Sequence, residues 1–359
     1  MAASDELFDR LVRHAISLQR YGNGVIHRLI GILNRADKDL YLALIDALER
    51  MPESFTAARL EALLASVREV NTAAYDKIGR ELIAELRAFV ASETDFQSQL
   101  LMRAAPVNVS FAAVSVDAVF TAAYAQPFRI SKDGAVPMAQ YLSGLSSARA
   151  KLVRDAVSLG WLEGQTIDQV VRRIRGTKAK GFEDGLMEAP RRHVEGMVRT
   201  AINHMSNTTS QRVWKANDDL VKGWRFVATL DSRTSMRCAS LDQSVHPVGK
   251  GPIPPLHINC RSTSIPELKT WREMGIDVDD FKPGTRASAG GQVAADMSYS
   301  DWLRSQPVSV QDEVLGSTRG RLFRAGKLEM SAFVNNKGET LTLSELRQRN
   351  AALFEKAGV

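Results

Sequence analysis

The stretch that decides the fold is GWRFVATLDSRTSMRCASLDQSVHPVGKGPIPPLHINCRSTSIP, residues 223–266. It contains both cysteines of the chain, Cys238 and Cys260, and two of its six histidines, His246 and His257. Its beginning alternates between apolar and polar side chains, as a half-buried strand does. The remainder is rich in proline and in polar side chains that packing alone does not explain. We therefore expect a compact α+β unit to form around this stretch.

Three side chains of the stretch suggest a metal site. Cys238, His257 and Cys260 offer two thiolates and one imidazole, a ligand set that zinc prefers. His257 and Cys260 are three positions apart, the spacing of two ligands on one loop, and Cys238 precedes His257 by 19 positions. The sequence therefore makes zinc a candidate cofactor.

A structural zinc site has four ligands, and the fourth is ambiguous here. Asp231, Asp242 and His246 are candidates, and Asp242 is our choice. Three other interpretations of the cysteines stay open. They could be buried small apolar residues, they could form a disulfide, which a reducing cytosol disfavours, or the polar residues could only hold a proline-rich loop by hydrogen bonds.

The run Asp231-Ser232-Arg233-Thr234 follows the predicted strand. An aspartate in such a turn accepts backbone N–H groups, and an arginine fork binds a carboxylate or carbonyl oxygens. The sequence contains no convincing nucleophile–base pair, glycine-rich phosphate loop or pair of catalytic carboxylates. We therefore interpret this turn as structural and do not expect an enzyme.

Helical periodicity dominates the chain before this stretch. We predict two helices in residues 4–50, with Gly22 to Gly24 breaking or kinking the first and Asp37 capping the second. Residues 54–101 have an apolar stripe near the 3.6-residue period and no proline. They predict one helix of about 65 Å at about 1.5 Å per residue, suited to an arm that touches a partner, or else two packed helices.

The other predicted helices cover residues 115–125, 146–159, 166–175 and 188–217. After the central stretch, residues 283–296 are rich in Gly, Ala and Ser, which is typical of a flexible linker. Short helices follow, the last one capped by Thr342 or Ser344. The prediction is mainly α with a small α+β domain, divided into a helical arm or bundle (1–142), an α+β domain (143–282), a linker (283–297) and a small helical C-terminal module (298–359).

Composition excludes some classes of protein. The chain of 359 residues has 44% apolar and 25% charged residues, as ordinary globular proteins do. No segment has the roughly 18 consecutive apolar residues of a membrane span, and the first residues lack the apolar region of a secretory signal. We expect a protein made in the cytosol of its producer, without a membrane partner. The net charge of +6 permits contact with nucleic acid without requiring it.

Residues 188–266, about a fifth of the chain, contain a specific order of motifs. Its residues are Arg199, Thr200, Asn203, Asn207, Trp214, Gly223, Trp224, Asp231, Arg233, Thr234, Ser235, Cys238, Leu241, Asp242, Pro254, Pro255, His257, Asn259, Cys260 and Arg261. This order resembles the phage Mu F-like family of minor head proteins, also called phage head morphogenesis proteins. Gln243 stands where that family usually has Gly, and Ile258 where it commonly has Pro.

The resemblance implies a structural component of a tailed-phage virion. Such a protein would lie in the head interior or at the portal vertex, and in the host cytoplasm during assembly. Its partners would be the portal protein, the major capsid protein and packaged double-stranded DNA, with a ring-like multimer on the portal. It would aid head assembly, DNA packaging or genome delivery.

An enzyme is the alternative. A metal-dependent nuclease could use Asp231, Asp242 and His257, and domains similar to Mu F also occur joined to toxin domains. Residues 298–359 contain no histidine and no cysteine, which disfavours a toxin domain at that position.

Overall fold

A computed structural model describes residues 3–49, 57–104, 111–131, 134–270, 272–274 and 284–359. The predicted fold class, mainly α with a small α+β part, is confirmed. The helices are α1 (Ala3–Glu49), α2 (Ala57–Ala104), α3 (Val116–Ala125), α4 (Met138–Leu162), α5 (Ile167–Arg175), α6 (Glu188–Ala216), α7 (Met236–Leu241), α8 (Tyr299–Ser305), α9 (Val308–Leu315), α10 (Ser317–Gly326), α11 (Leu343–Arg349) and α12 (Ala351–Ala357). The strands are β1 (Phe128–Ser131), β2 (Gly134–Val136), β3 (Val221–Val227), β4 (Val245–His246), β5 (Thr263–Leu268), β6 (Thr285–Ser288) and β7 (Gly291–Ala294).

Helices α1 and α2 form an antiparallel pair, each about 70 Å long at about 1.5 Å per residue. At one end His14 Nε2 lies 2.7 Å from a carboxylate oxygen of Glu93. At the other end Leu40 and Val67 share one apolar cluster. The prediction of a single long helix is thus confirmed for α2.

The prediction of two helices in residues 4–50 is wrong, because α1 is continuous from Ala3 to Glu49. A Cβ atom at Gly22 would lie 3.4 Å from Ile202 of α6, so this glycine is a site of close helix packing. Asp37 does not cap a helix. It is buried and binds Arg149 and Arg191, so its carboxylate stabilises the packing of α1 against α4 and α6.

The long pair is not a projecting arm along its described length. Its middle shares a core with α3 and α6, in which Leu29, Ile78 and Met205 are buried. One end packs against α4 and α5. The other end contacts β5 through Leu11 and Leu100. The structure therefore joins α1 and α2 to the central part of the chain by apolar packing, which local periodicity could not reveal.

The central sheet has three antiparallel strands in the order β4-β3-β5. The predicted strand at Trp224 is confirmed as β3, and this tryptophan pairs with His246 on one side and with Pro266 on the other. The sheet packs on the C-terminal part of α6, with Trp214 and Trp224 fully buried in one cluster. This platform fixes the ends of the segments that carry the cysteines.

Helices α8 to α12 form a second core around Trp302 and Phe323. That core also includes Leu230 and Ala239 from the central stretch. The C-terminal helices therefore pack directly on the central unit. Among the helices that the structure describes, none is both long enough and apolar enough to cross a bilayer.

The stretch predicted as a flexible linker contains an antiparallel hairpin, β6–β7, and this prediction is corrected over residues 285–294. Pro283 lies outside the described residues. The hairpin is attached to the central unit, because the N–H of Ala289 donates to the carbonyl of Leu230 at 2.9 Å. Arg286 is only 2% exposed and binds Asp242. Small residues suggested mobility, but one buried arginine anchors the segment.

Candidate functional site

The structure brings Cys238, His257 and Cys260 together. Their ligand atoms all lie within 4.8 Å of one another. The Sγ atom of Cys238 is 3.3 Å from Nε2 of His257 and 3.7 Å from Sγ of Cys260. Both cysteines are buried, and His257 is half-buried. Three residues separated by up to 22 positions thus form one compact cluster.

Helix α7 positions Cys238. Ser235 precedes this helix, and its Oγ accepts a hydrogen bond from the backbone N–H of Cys238 at 3.3 Å. The same hydroxyl lies 2.9 Å from Nε2 of His257. A serine N-cap is a common way to satisfy the first N–H groups of a helix. Here the cap also lies against the imidazole of the cluster.

Helix α6 holds the loop that carries His257 and Cys260, the other two residues of the cluster. Thr200, Asn203 and Asn207 are three or four positions apart, and thus lie on one face of α6. The Oγ1 of Thr200 accepts from the N–H of Asn259 at 2.9 Å. The side-chain amide of Asn203 donates to the carbonyl of Cys260 at 2.8 Å.

The contacts with α6 continue into strand β5. Asn203 also donates to the carbonyl of Ser262 at 3.0 Å. Oδ1 of Asn207 accepts from the N–H of Ser264 at 2.9 Å and from its hydroxyl at 2.7 Å. The polar residues of α6 therefore bind successive backbone groups of the segment from 259 to 264. We call the side chains of Thr200, Asn203 and Asn207 the α6 polar ladder.

The turn after β3 holds Asp231 and Arg261 together. The guanidinium of Arg261 binds both carboxylate oxygens of Asp231. The carboxylate also accepts from the N–H of Arg233 at 3.1 Å and from the hydroxyl of Thr234 at 3.2 Å. Burial of Asp231 opposes its ionisation, but the hydrogen bonds and charge of Arg261 outweigh burial, and the pKa of Asp231 is lowered.

Asp242, our choice for the fourth ligand, lies elsewhere. Its carboxylate accepts from the N–H of Ala228 at 2.8 Å and from that of Tyr299 at 2.8 Å. It also forms a buried ion pair with Arg286 at 2.9 Å. Among the described residues, the group of acidic, thiol and imidazole side chains that could hold a metal includes neither this aspartate nor Asp231.

His246 is the third candidate for the fourth ligand, and it is also placed elsewhere. Its ring lies 5.0 Å from that of Trp224, and its Nε2 is 2.9 Å from the hydroxyl of Ser244. Burial lowers the pKa of this imidazole. The cluster therefore provides three ligands from the described residues.

The three side chains fit a zinc ion in two respects. Bonds of about 2.3 Å to sulfur and about 2.0 Å to nitrogen at tetrahedral angles imply a separation of about 3.8 Å between sulfurs and about 3.5 Å between sulfur and nitrogen. The observed separations are 3.7 Å and 3.3 Å. In addition, Nδ1 of His257 lies 2.9 Å from the carbonyl of Ile258. Donation from Nδ1 leaves Nε2 as the ligand atom, which is the usual arrangement of a metal-bound histidine.

The electrostatics of the cluster favour the thiolate form of Cys260 and disfavour that of Cys238. Hydrogen bonds from Cys238 and His257 lower the pKa of the Cys260 thiol well below its ordinary value. The hydrogen bond to Cys260, together with burial, raises the pKa of Cys238 well above its ordinary value. The hydrogen bond to Cys260 raises the pKa of His257. A bound dication would stabilise the second thiolate as well, since zinc binds the deprotonated form.

The three motif arginines Arg199, Arg233 and Arg261 line one cleft of about 500 Å³. It lies between α1, α6 and the loop before β5, and Cys260 also lines it. Sequence reasoning singled out these arginines without placing them together. It assigned no role to Ser235, whose contacts with Cys238 and His257 follow from the structure alone.

Comparison with known proteins gives one family. Residues 151–265, about a third of the chain, match the family described as Phage Mu protein F like protein. The matched segment runs from α4 to β5 and includes the cysteine–histidine cluster and the α6 polar ladder. The predicted resemblance is therefore confirmed over this segment. Neither the curated proteins nor the solved structures gave a significant match.

Proposed function

We propose that this chain is a minor head protein of a tailed phage and that it acts by binding. The observation that carries the proposal is the family match over residues 151–265. That segment contains the cysteine–histidine cluster and the α6 polar ladder. Similarity to this family suggests a role in phage head morphogenesis. The portal protein, the major capsid protein and packaged DNA are the partners that we propose.

The architecture supports a binding role. Two helices of about 70 Å pack along their length against the matched segment, and so they extend its surface. The C-terminal helices share a core with Leu230 and Ala239 of the same segment. A long surface can contact several subunits of a ring or shell, and we propose that the protein forms a ring-like multimer on the portal.

The two carboxylates that a nuclease would need, those of Asp231 and Asp242, form ion pairs with arginines. Asp231 binds Arg261 through both oxygens, and Asp242 binds the buried Arg286. Separation of such a carboxylate from its arginine leaves an uncompensated charge. These contacts favour a structural role for both residues over the nuclease alternative.

Within this function, we propose that Cys238, His257 and Cys260 hold a zinc ion. The cysteines come from α7 and from the loop before β5, so the ion would join two segments that lie on either side of a proline-rich stretch. Zinc sites of this kind contribute directly to folding energy. The ion would hold the central unit in its shape.

Quantitative mass spectrometry of particles from the phage that encodes this chain tests the proposal. A portal-linked head protein should be present in mature particles at low copy number, comparable with the portal ring and far below the major capsid protein. Deletion of the gene should give defective heads, and a plasmid copy of the full chain should restore them. High abundance in immature heads and loss from mature ones would instead indicate a scaffold.

The catalytic alternative has a separate test. Purified full-length protein is incubated with supercoiled plasmid and magnesium or manganese. We expect the plasmid to stay intact. Cleavage that disappears in an Asp231→Ala variant, but persists in an Asp117→Ala control, would overturn the binding proposal.

A further inference from the structure

The cleft between α1 and α6 combines charge, hydrogen-bond donors and an apolar wall. Three of its sixteen lining residues are arginines, and none of the described residues that line it is Asp or Glu. Gln19 and Asn23 of α1 add side-chain amides. Leu18 and Ile202 provide apolar surface on the same cleft. Its volume, about 500 Å³, lies within the range of small-molecule sites.

One of the three arginines is held in place. The guanidinium of Arg261 forms a two-bond contact with Asp231, and its side chain is 23% exposed. The aspartate is in turn fixed by the N–H of Arg233 and the hydroxyl of Thr234. An arginine fixed in this way keeps its remaining N–H donors in a constant position, which lowers the entropic cost of binding a ligand.

Among the described residues, the acidic partners of the other two arginines are weak. Arg199 lies 3.4 Å from Glu195, and its side chain is 43% exposed. Arg233 lies 3.8 Å from Asp231, and its side chain is 80% exposed. Exposed pairs of this kind contribute little to stability, so an anion in the cleft can compete for both guanidinium groups.

The side-chain amides of Asn203 and Asn207 already donate hydrogen bonds within the protein. They donate to backbone and side-chain oxygens of their neighbours within the α6 polar ladder and the β5 segment. The charged donors of the cleft are therefore guanidinium groups from three separate segments of the chain, beside the neutral amides of Gln19 and Asn23. Guanidinium groups are the usual donors for phosphate and carboxylate, which they bind through pairs of hydrogen bonds.

We infer that this cleft binds the phosphate group of a nucleotide unit. Convergence of three arginines suits a group with several equivalent acceptor oxygens and up to two charges, whereas one carboxylate is satisfied by a single guanidinium fork. The apolar wall of Leu18 and Ile202 suits the base or sugar of such a unit. The inference does not depend on the proposed role in the phage head.

Two sources could supply this phosphate: a nucleic-acid strand or a free nucleotide. Isothermal titration calorimetry of the full-length protein with AMP, and fluorescence anisotropy with a labelled single-stranded and a double-stranded oligonucleotide, separate them. Binding of the oligonucleotides without AMP indicates a strand as the source. Binding of AMP with no gain for oligonucleotides indicates a free nucleotide. Either result supports the inference, provided that the test variant described below binds that ligand more weakly.

The test variant is Arg199→Gln with Arg233→Gln, and both side chains are exposed enough to be replaced without loss of folding. The matched control is Arg192→Gln with Arg154→Gln, which removes the same charge from side chains that are 69% and 45% exposed and that do not line the cleft. We expect the test variant to bind at least tenfold more weakly. With single-stranded DNA, we also expect the slope of log affinity against log salt to fall by about 0.7 for each phosphate that the variant no longer neutralises.

Three results would overturn the inference. The first is no binding of AMP or either oligonucleotide at low salt. The second is an equal loss of affinity in the test and control variants, which would show a general effect of charge. The third is binding of an acidic peptide, abolished in the test variant, with no response to any phosphate, which would identify the cleft as a carboxylate site.

Discussion

The side-chain amide of Asn203 donates a hydrogen bond of 2.8 Å to the backbone carbonyl of Cys260. A second bond from the same amide reaches the carbonyl of Ser262 at 3.0 Å. One polar residue in the middle of a mostly buried helix therefore fixes the backbone on both sides of Arg261. This contact connects α6 with the cysteine–histidine cluster and with the arginine cleft, so both depend on it.

Replacement of Asn203 by alanine should destabilise the protein. The carbonyls of Cys260 and Ser262 would lose their side-chain donor, and an unpaired buried polar group costs about 1–3 kcal/mol. Urea denaturation of Asn203→Ala beside an Arg212→Ala control on the exposed side of α6 measures the effect. We expect a loss of about 1–3 kcal/mol for Asn203→Ala and little change for the control. Equal stability of the two variants would show that α6 does not hold this loop.

Disruption of the buried ion pair between Arg286 and Asp242 should destabilise the protein more than Asn203→Ala does. Both side chains are nearly inaccessible, at 2% and 1% exposed. Arg286→Met would leave the carboxylate of Asp242 buried with only two backbone N–H donors, from Ala228 and Tyr299. Loss of one partner from a buried pair costs about 3–5 kcal/mol. We expect that loss in the free energy of unfolding.

The matched control for Arg286→Met is Arg304→Met, whose side chain is 30% exposed and pairs with Asp301 and Glu329. Its destabilisation should be clearly smaller, because water compensates exposed charges. Limited proteolysis adds a local measure, since loss of the pair should expose the β6–β7 hairpin to cleavage. A hairpin as resistant in Arg286→Met as in the wild type would contradict an anchoring role.

Several parts of this fold follow directly from the sequence. The apolar stripe of α2 and the alternation at β3 repeat over adjacent residues, so their periods identify helix and strand. The Cys-His-Cys set was also recognisable, because zinc ligands are few in type and two of them are three positions apart. Patterns of this kind are local, and the structure confirms the elements that depend on them.

The parts that could not be predicted depend on distant contacts. Asp242 resembled a metal ligand in sequence, and its true partner Arg286 is 44 positions away in a stretch that resembles a linker. Glycine at position 22 suggested a helix break, whereas it lies against Ile202 in a continuous helix. Asp37 resembled a helix cap, but it is buried against Arg149 and Arg191. Tertiary packing overrides local preference at these positions.

The lowered pKa of Asp231 predicts a pH-dependent contribution to stability. A carboxyl group whose pKa is lower in the folded state stabilises the protein above its unfolded pKa of about 3.9, and this contribution is lost as the pH falls through the folded pKa. Asp231→Asn should therefore be less stable than the wild type near neutral pH, by on the order of 1 kcal/mol. The gap should shrink below about pH 4.

Urea midpoints of the wild type and Asp231→Asn across the acidic range measure this gap. Asp117→Asn is the control, because Asp117 is 78% exposed and forms a surface pair with Arg87. A gap between wild type and Asp231→Asn that stays constant with pH would show that the Asp231–Arg261 pair contributes no linkage between protonation and folding.

The zinc assignment predicts about one zinc per chain by elemental analysis of the purified protein. Cys260→Ser and His257→Ala should lose the metal and should unfold at lower temperature, because a ligand that binds only the folded state stabilises it by about 3 kcal/mol at 100 times its Kd. His193→Ala, at an exposed position of α6, is the matched control and should keep the bound zinc and the unfolding temperature of the wild type. Zinc content should also fall in mild acid, where protons compete for the thiolates and the imidazole. Full stability without zinc in the wild type would instead make both cysteines ordinary core residues, with His257 a hydrogen-bonding partner.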